Sequence, residues 1–174
     1  FYNVKVKDEN GCVATSDDIT ATKVSPPEVT IRNISDITEF CEGDSVRLDA
    51  QPTLYFETFE WSNGYSGKTL WAKESGTYTV TGITREGCTK ESSESIVLAT
   101  MPVPEKPTIT QIGDTLISSE ADDYQWFMNG KEILGADEKE HVAKRTGNYT
   151  VVVTNDYGCQ NISDEIYVEL VNIL

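Results

Sequence analysis

The stretch GTYTVTGITREGC, residues 76–88, returns as GNYTVVVTNDYGC at 147–159, and its tail opens the chain as YNVKVKDENGC at 2–12. Each copy starts at a tyrosine, alternates apolar and polar side chains, reaches a polar tip containing glycine and ends on cysteine. Alternation with period two marks a strand with one buried face. A tip such as Asn10-Gly11 supplies the positive-φ residue that a tight hairpin needs. Each copy therefore reads as a strand, a turn and the start of a returning strand.

The spacing of the copies sets the organisation. Tyr2, Tyr78 and Tyr149 lie 76 and 71 residues apart, and Cys12, Cys88 and Cys159 repeat both intervals. A unit of slightly over 70 residues follows, and 174 residues hold two whole units and the tail of a third. The expected domains are 1–24, the closing hairpin and strand of a truncated upstream unit, then 25–101 and 102–174. One hairpin buries too little apolar surface to stand alone in water. Ser25-Pro26-Pro27 breaks the ladder at the first boundary, because proline lacks the N–H and fixes φ. At the second, Met101-Pro102-Val103-Pro104-Glu105-Lys106-Pro107 predicts an extended, semi-rigid linker.

Within 25–101 the runs 29–31, 45–50, 56–61, 68–73, the organising hairpin and 95–99 read as strands, with Cys41-Glu42-Gly43-Asp44 as a turn. The second unit repeats them at 108–110, 113–116, 124–127, 140–144, the hairpin and 166–171. In the upstream tail, 19–24 is the returning strand. Helical periodicity is absent. Short strands punctuated by turns predict an all-β sandwich in each unit.

Composition excludes several functions. Fourteen basic against 29 acidic residues give a net charge of −15. Such a surface repels phosphate backbones, so nucleic acid is not an expected partner. Anionic membrane surfaces are disfavoured for the same reason, and no run reaches the 18 or so apolar residues of a membrane-spanning helix.

Trp61 and Trp126 fall on the third strand of their units. Gly-x-Tyr-x-Val opens the sixth, at Gly76/Tyr78/Val80 and Gly147/Tyr149/Val151. This resembles the immunoglobulin sandwich, with its strand-C tryptophan and tyrosine corner, and assigns Trp61, Trp126, Tyr78 and Tyr149 to the core. More narrowly, CEGDSVRL, EWSNG, SGTYTV and the terminal Gly-Cys resemble the bacterial Ig-like repeats of long surface and secreted proteins of Bacteroidota. Many of those proteins are type IX secretion cargo; WFMNGKEILGA looks like a variant of the same repeat. The resemblance implies an extracellular stalk, spacer or adhesin segment whose partners are neighbouring Ig-like domains of the same chain, glycans or other cell-surface proteins. It also implies a Cys41–Cys88 disulfide, since the equivalent positions look paired in those repeats, worth about 3–5 kcal/mol in the chain-entropy model. Gln111 then stands where the second unit would need a cysteine. Cys159 is expected as a free thiol, and Cys12 as either free or bridged within the upstream unit. A disulfide implies an oxidising compartment.

The residues offer little for catalysis, and the expected protein is not an enzyme. His141, the only histidine, aligns with Leu70 and reads as a core-edge side chain. Asp17-Asp18, Asp122-Asp123 and Asp137-Glu138 are expected on solvated loops. No cofactor is expected; a structural calcium ion at a unit junction is the alternative use of such carboxylates. Trp71 lies between inward-phased Leu70 and Ala72, so it points outward, with Tyr65 on the preceding loop. That pair suits sugar stacking, against packing on a neighbouring domain. Ser45 and Thr115 sit in Asp-Ser/Thr-aliphatic patterns resembling the O-glycosylation site of Bacteroidota; plain strand alternation explains them equally. Asn33, Asn148 and Asn161 head N-glycosylation sequons, relevant to a eukaryotic source. The leading expectation is a stalk or spacer, with a glycan-binding module or an ancillary domain of a secreted hydrolase as the alternatives.

Overall fold

The computed structural model describes residues 1–23 and 25–170. Val24 and Val171, which end two of the expected strands, lie outside the described residues, as do 172–174. Every regular element described is a strand. The opening hairpin pairs β1 (Lys5–Lys7) with β2 (Val13–Thr15), and Tyr2 bridges Ile19 beyond it.

The next unit carries β3 (Thr30–Asn33), β4 (Glu39–Cys41), β5 (Val46–Gln51), β6 (Thr58–Trp61), β7 (Thr69–Ala72), β8 (Gly76–Tyr78), β9 (Val80–Ile83), β10 (Thr89–Glu91) and β11 (Ile96–Met101). One sheet is β3-β5-β7, antiparallel throughout. The organising stretch forms β8 and β9, interrupted at Thr79. β9 lies between β6 and β10, and β8 pairs β11, so the stretch is the spine of the opposite sheet. Alternation puts Leu48, Ala50, Leu70 and Ala72 of one sheet against Phe59, Trp61, Tyr78, Val80 and Leu98 of the other, all within 6% of full burial.

Several readings depart from expectation: beyond the Ile19 bridge no strand forms over 20–23, Gly113-Asp114 is a turn and not the start of a strand, and an extra strand forms at 39–41. Cys41 opens the expected turn, with Asp44 N–H donating to its carbonyl at 3.0 Å, but it also ends the extra strand, β4, which pairs in parallel with β11, Phe40 opposite Thr100 and Cys41 opposite Met101. Phe40, 5% exposed, belongs to the core, and burying its ring draws this segment onto the sheet edge. The opening segment is thus split between the two sheets, β3 pairing antiparallel with β5 and β4 parallel with β11.

The final unit has β12 (Ile109–Ile112), β13 (Thr115–Ser118), β14 (Asp123–Met128), β15 (Lys131–Glu132), β16 (Glu140–Val142), β17 (Gly147–Thr154), β18 (Gln160–Ile162) and β19 (Ile166–Val168). β12-β13-β16 faces a sheet ordered β15-β14-β17, with β18 and β19 both against β17. Its core of Leu116, Trp126, Tyr149, Val151, Val153 and Val168 is separate from the first. Here Gln111 pairs with Leu116 inside the β12–β13 hairpin, so no counterpart of β4 forms from it.

Both units are closed by the same polar device. Tyr78 Oη donates to the carbonyl of Glu74 at 2.8 Å, and Tyr149 Oη to that of Arg145 at 2.7 Å, each four residues back. These are tyrosine corners. Trp61 and Trp126 likewise donate their indole N–H groups to the carbonyls of Gly67 and Glu138. A buried Tyr or Trp must place its one polar group, and all four do so on backbone.

Candidate functional site

The most heavily constructed region outside the cores is the joint between the units. β11 ends at Met101 beside Cys41, and Pro102 begins the linker there. Cys159 tops the β17–β18 hairpin of the second unit, 1% exposed. A disulfide joins Cys41 to Cys159 across a sequence separation of 118, with Cα atoms 5.6 Å apart. The expected Cys41–Cys88 pairing is therefore wrong, as is the expectation of a free Cys159. Cys88 is exposed and unbridged, and so is Cys12. Geometry explains the error. Cys88 precedes the first residue of β10, whereas Cys41 lies beside the last residue of β11. The returning strand separates them by up to roughly 40 Å at about 3.3 Å per residue, and a disulfide spans at most about 7 Å between Cα atoms.

The linker is fastened as well as bridged. Asn155 and Asn161 donate side-chain N–H groups to the carbonyls of Pro102 (2.7 Å) and Pro104 (3.0 Å). Lys106 pairs with Asp164 at 2.5 Å. Proline-rich backbone has unmet carbonyl acceptors and few donors of its own. Side chains of the β17–β18 hairpin supply the donors, and Asp164 after it accepts from Lys106, so the linker lies against the second unit. A shallow recess of about 560 Å³ between Lys106, Thr108, Glu120, Asp122 and Asn155 flanks it.

The second candidate is the outer face of β3-β5-β7. Leu70 and Ala72 point inward while Trp71 is 57% exposed. Its cross-strand neighbour is Arg47, whose guanidinium donates twice to Asp49, at 3.1 and 2.9 Å, and Thr69 Oγ1 donates a third bond at 2.8 Å. Covering the Asp49 carboxylate pushes its pKa up, but the hydrogen bonds from Arg47 and Thr69 and the charges of Arg47 and Lys68 outweigh this and hold it below the ordinary value. The result is an exposed indole beside a fixed polar array. Tyr65 is also exposed, but its ring lies against Gly67 and does not pair with Trp71 among the described residues. Val142 occupies the corresponding outward position in the second unit.

His141 lies opposite Leu116, as Leu70 lies opposite Leu48, and its ring stacks 5.7 Å from Trp126 and 5.9 Å from Tyr149. Burial, with the nearby charge of Lys144, depresses its pKa. Ser45 and Thr115 are half-buried, just before and at the start of equivalent strands. The carboxylate pairs are exposed, although Asp123 opens β14 and is not on a loop. No group of three or more metal-ligating side chains occurs among the described residues. No helix there is long and apolar enough to cross a membrane.

No protein-family model and no curated protein matches the sequence. Solved structures do. A Ca2+-stabilized ice-binding adhesin of an Antarctic bacterium matches with a TM-score of 0.41 and 14% identity, over 95% of this chain and 55% of that one. Murine CEACAM1b gives 0.38 and 14% over 83% and 100%. A 1.5-MDa bacterial ice-binding adhesin gives 0.35 and 15% over 92% and 70%. Likeness this distant says nothing of what the chain binds.

The fold itself defines the class: a tandem of immunoglobulin-like sandwiches. What sequence reasoning missed was the joint. The signal for it was present in the topology, since a strand parallel to the last one ends at the unit's far pole, where the next unit's hairpin tip arrives.

Proposed function

We propose that this chain is a non-catalytic spacer, a segment of the extracellular stalk of a bacterial surface adhesin or secreted repeat protein. The observation that carries the reading is the Cys41–Cys159 bridge across a linker already hydrogen-bonded to the second unit. A spacer must hold distance between what it joins, and a free proline linker fixes length but not angle. Bridging the two poles removes the bending freedom. The disulfide also fits an oxidising compartment, and the net charge of −15 keeps a long array solvated and apart from its neighbours. Small-angle X-ray scattering tests this. The oxidised chain is expected to keep a single maximum dimension, and Cys41→Ser with Cys159→Ser to broaden it. An unchanged profile in the double variant, or catalytic turnover by the segment alone, would sink the spacer reading.

Trp71 favours a second reading, glycan contact. An exposed indole flanked by the Arg47–Asp49–Thr69 array offers a stacking face with fixed donors and acceptors beside it. Trp71→Ala is expected to abolish retention on immobilised polysaccharide with the melting temperature unchanged; retention that survives the substitution, or that never occurs, removes this reading.

A further inference from the structure

The three hairpins are built alike to the level of single bonds. In the last, Asn155 N–H donates to the Cys159 carbonyl at 3.0 Å, Gly158 N–H to Asn155 at 2.8 Å, and the Asn155 side chain accepts from Cys159 N–H at 3.0 Å. Around Cys88 the same three bonds run through Thr84 and Gly87, at 2.9, 2.9 and 3.2 Å. Around Cys12 they run through Asp8 and Gly11. The incoming chain matches too. Two residues after Cys159, Asn161 holds the linker at Pro104; two residues after Cys88, Lys90 holds the segment after Pro26-Pro27, through Glu28 at 2.9 Å. Of the two fully framed tips, one is bonded to the far pole of the unit before it, and the other carries an exposed thiol.

We infer that Cys88 is a covalent docking site for a preceding Ig-like unit. Its partner is a cysteine at the end of that unit's parallel edge strand, the position Cys41 holds here. The thiol is exposed because its partner belongs to another unit, and bridges of this kind form a ladder with one rung per joint. The second unit ends the ladder: Gln111 aligns with Cys41 in sequence, two residues before Gly-Asp, but carries no sulfur and forms no parallel edge strand. The bond forms by exchange with a disulfide oxidant, either a thiol–disulfide oxidoreductase or a small-molecule disulfide. Cys88 thiolate attacks the oxidant and releases one of its thiols. The partner thiolate then attacks the Cys88 sulfur and releases the other. Two protons leave the cysteines, and two electrons reduce the oxidant.

This inference rests on the tandem reading but fails separately from it: an extended chain with Cys88 unbridged would keep the spacer and discard the ladder. The test places residues 25–76 in front of the full 174-residue chain. Tyr2 then falls where Tyr78 does, and the opening hairpin becomes the end of a whole preceding unit. After oxidation, non-reducing peptide mapping is expected to find Cys88 bridged to the added copy of Cys41, alongside native Cys41–Cys159. Native Cys41–Cys159 present with Cys88 still alkylatable, or Cys88 bridged to Cys12, would overturn the proposal. Should the added residues fail to fold, the same mapping of protein from its source cells decides. Cys88 joined to a cysteine that precedes a Gly-Asp turn is expected; Cys88 free, joined to Cys12 or capped by a small thiol would refute it.

Discussion

Single side chains show which contacts this fold cannot lose. Each tyrosine corner fastens one loop carbonyl, and a net hydrogen bond of this kind is worth about 1 kcal/mol. Tyr149→Phe, which keeps the ring packing and removes the Oη donor, is expected to lower the unfolding free energy by about that amount in urea titration. His141 gives a pH signature. Its folded pKa is depressed, so the unfolded chain binds the proton more readily, and stability falls as pH drops below the unfolded value of about 6.5. The loss continues until pH passes below the folded pKa. The ring faces Trp126, Tyr149 and Leu116, with Lys144 nearby. His141→Leu, which copies the first unit, is expected to flatten the dependence below about pH 6.5 in thermal melts. A variant as acid-sensitive as the parent would show that another group dominates. Asp49 acts lower on the scale. With its folded pKa depressed, its stabilisation is present above the ordinary value of 3.8 and is lost as pH falls through the folded value.

Elements show how close the strands approach. Gly82 lies in β9 where a Cβ would come within 2.6 Å of the Phe56 ring, whereas at Gly76 the nearest atom is 3.7 Å away. Gly82→Ala is expected to cost about 1–3 kcal/mol through overpacking, and Gly76→Ala far less, read by chemical denaturation. Strand reading from sequence succeeded where alternation was strong, as at 45–50 and 76–83, because one buried face imposes period two. It failed at 39–41, where a three-residue strand carries only Phe40 as its buried residue and the following Gly43-Asp44 dominates the local signal. The disulfide was misassigned for a related reason. With Glu39 and Phe40 assigned to no strand, nothing showed that Cys41 ends at the pole of its unit, and pairing by resemblance within one unit was the remaining guide. The exposure of Trp71 needed only its phase against Leu70 and Ala72. The Arg47–Asp49–Thr69 array beside it needed the cross-strand register, which one strand's sequence does not contain.

On the scale of the whole chain, the bridge changes where tension runs. Force applied at the two ends enters Cys41, crosses the sulfur–sulfur bond and leaves at Cys159, so the core residues between those cysteines lie outside the loaded path, while Val29, Phe40 and Val168 lie on the loaded segments. On the proposed reading, the bridge shields the residues between the two cysteines from load, and a ladder of such bonds would extend the protection from joint to joint. Closing so long a loop also stabilises by about 5 kcal/mol in the chain-entropy model. The most direct measurement is single-molecule pulling between residues 1 and 170 with and without reductant. Reduction is expected to lengthen the fully unfolded chain by about 400 Å, the 118 residues of the loop at about 3.5 Å each. Equal extension in both conditions would mean that Cys41 and Cys159 do not carry the load, and would contradict the bridged spacer.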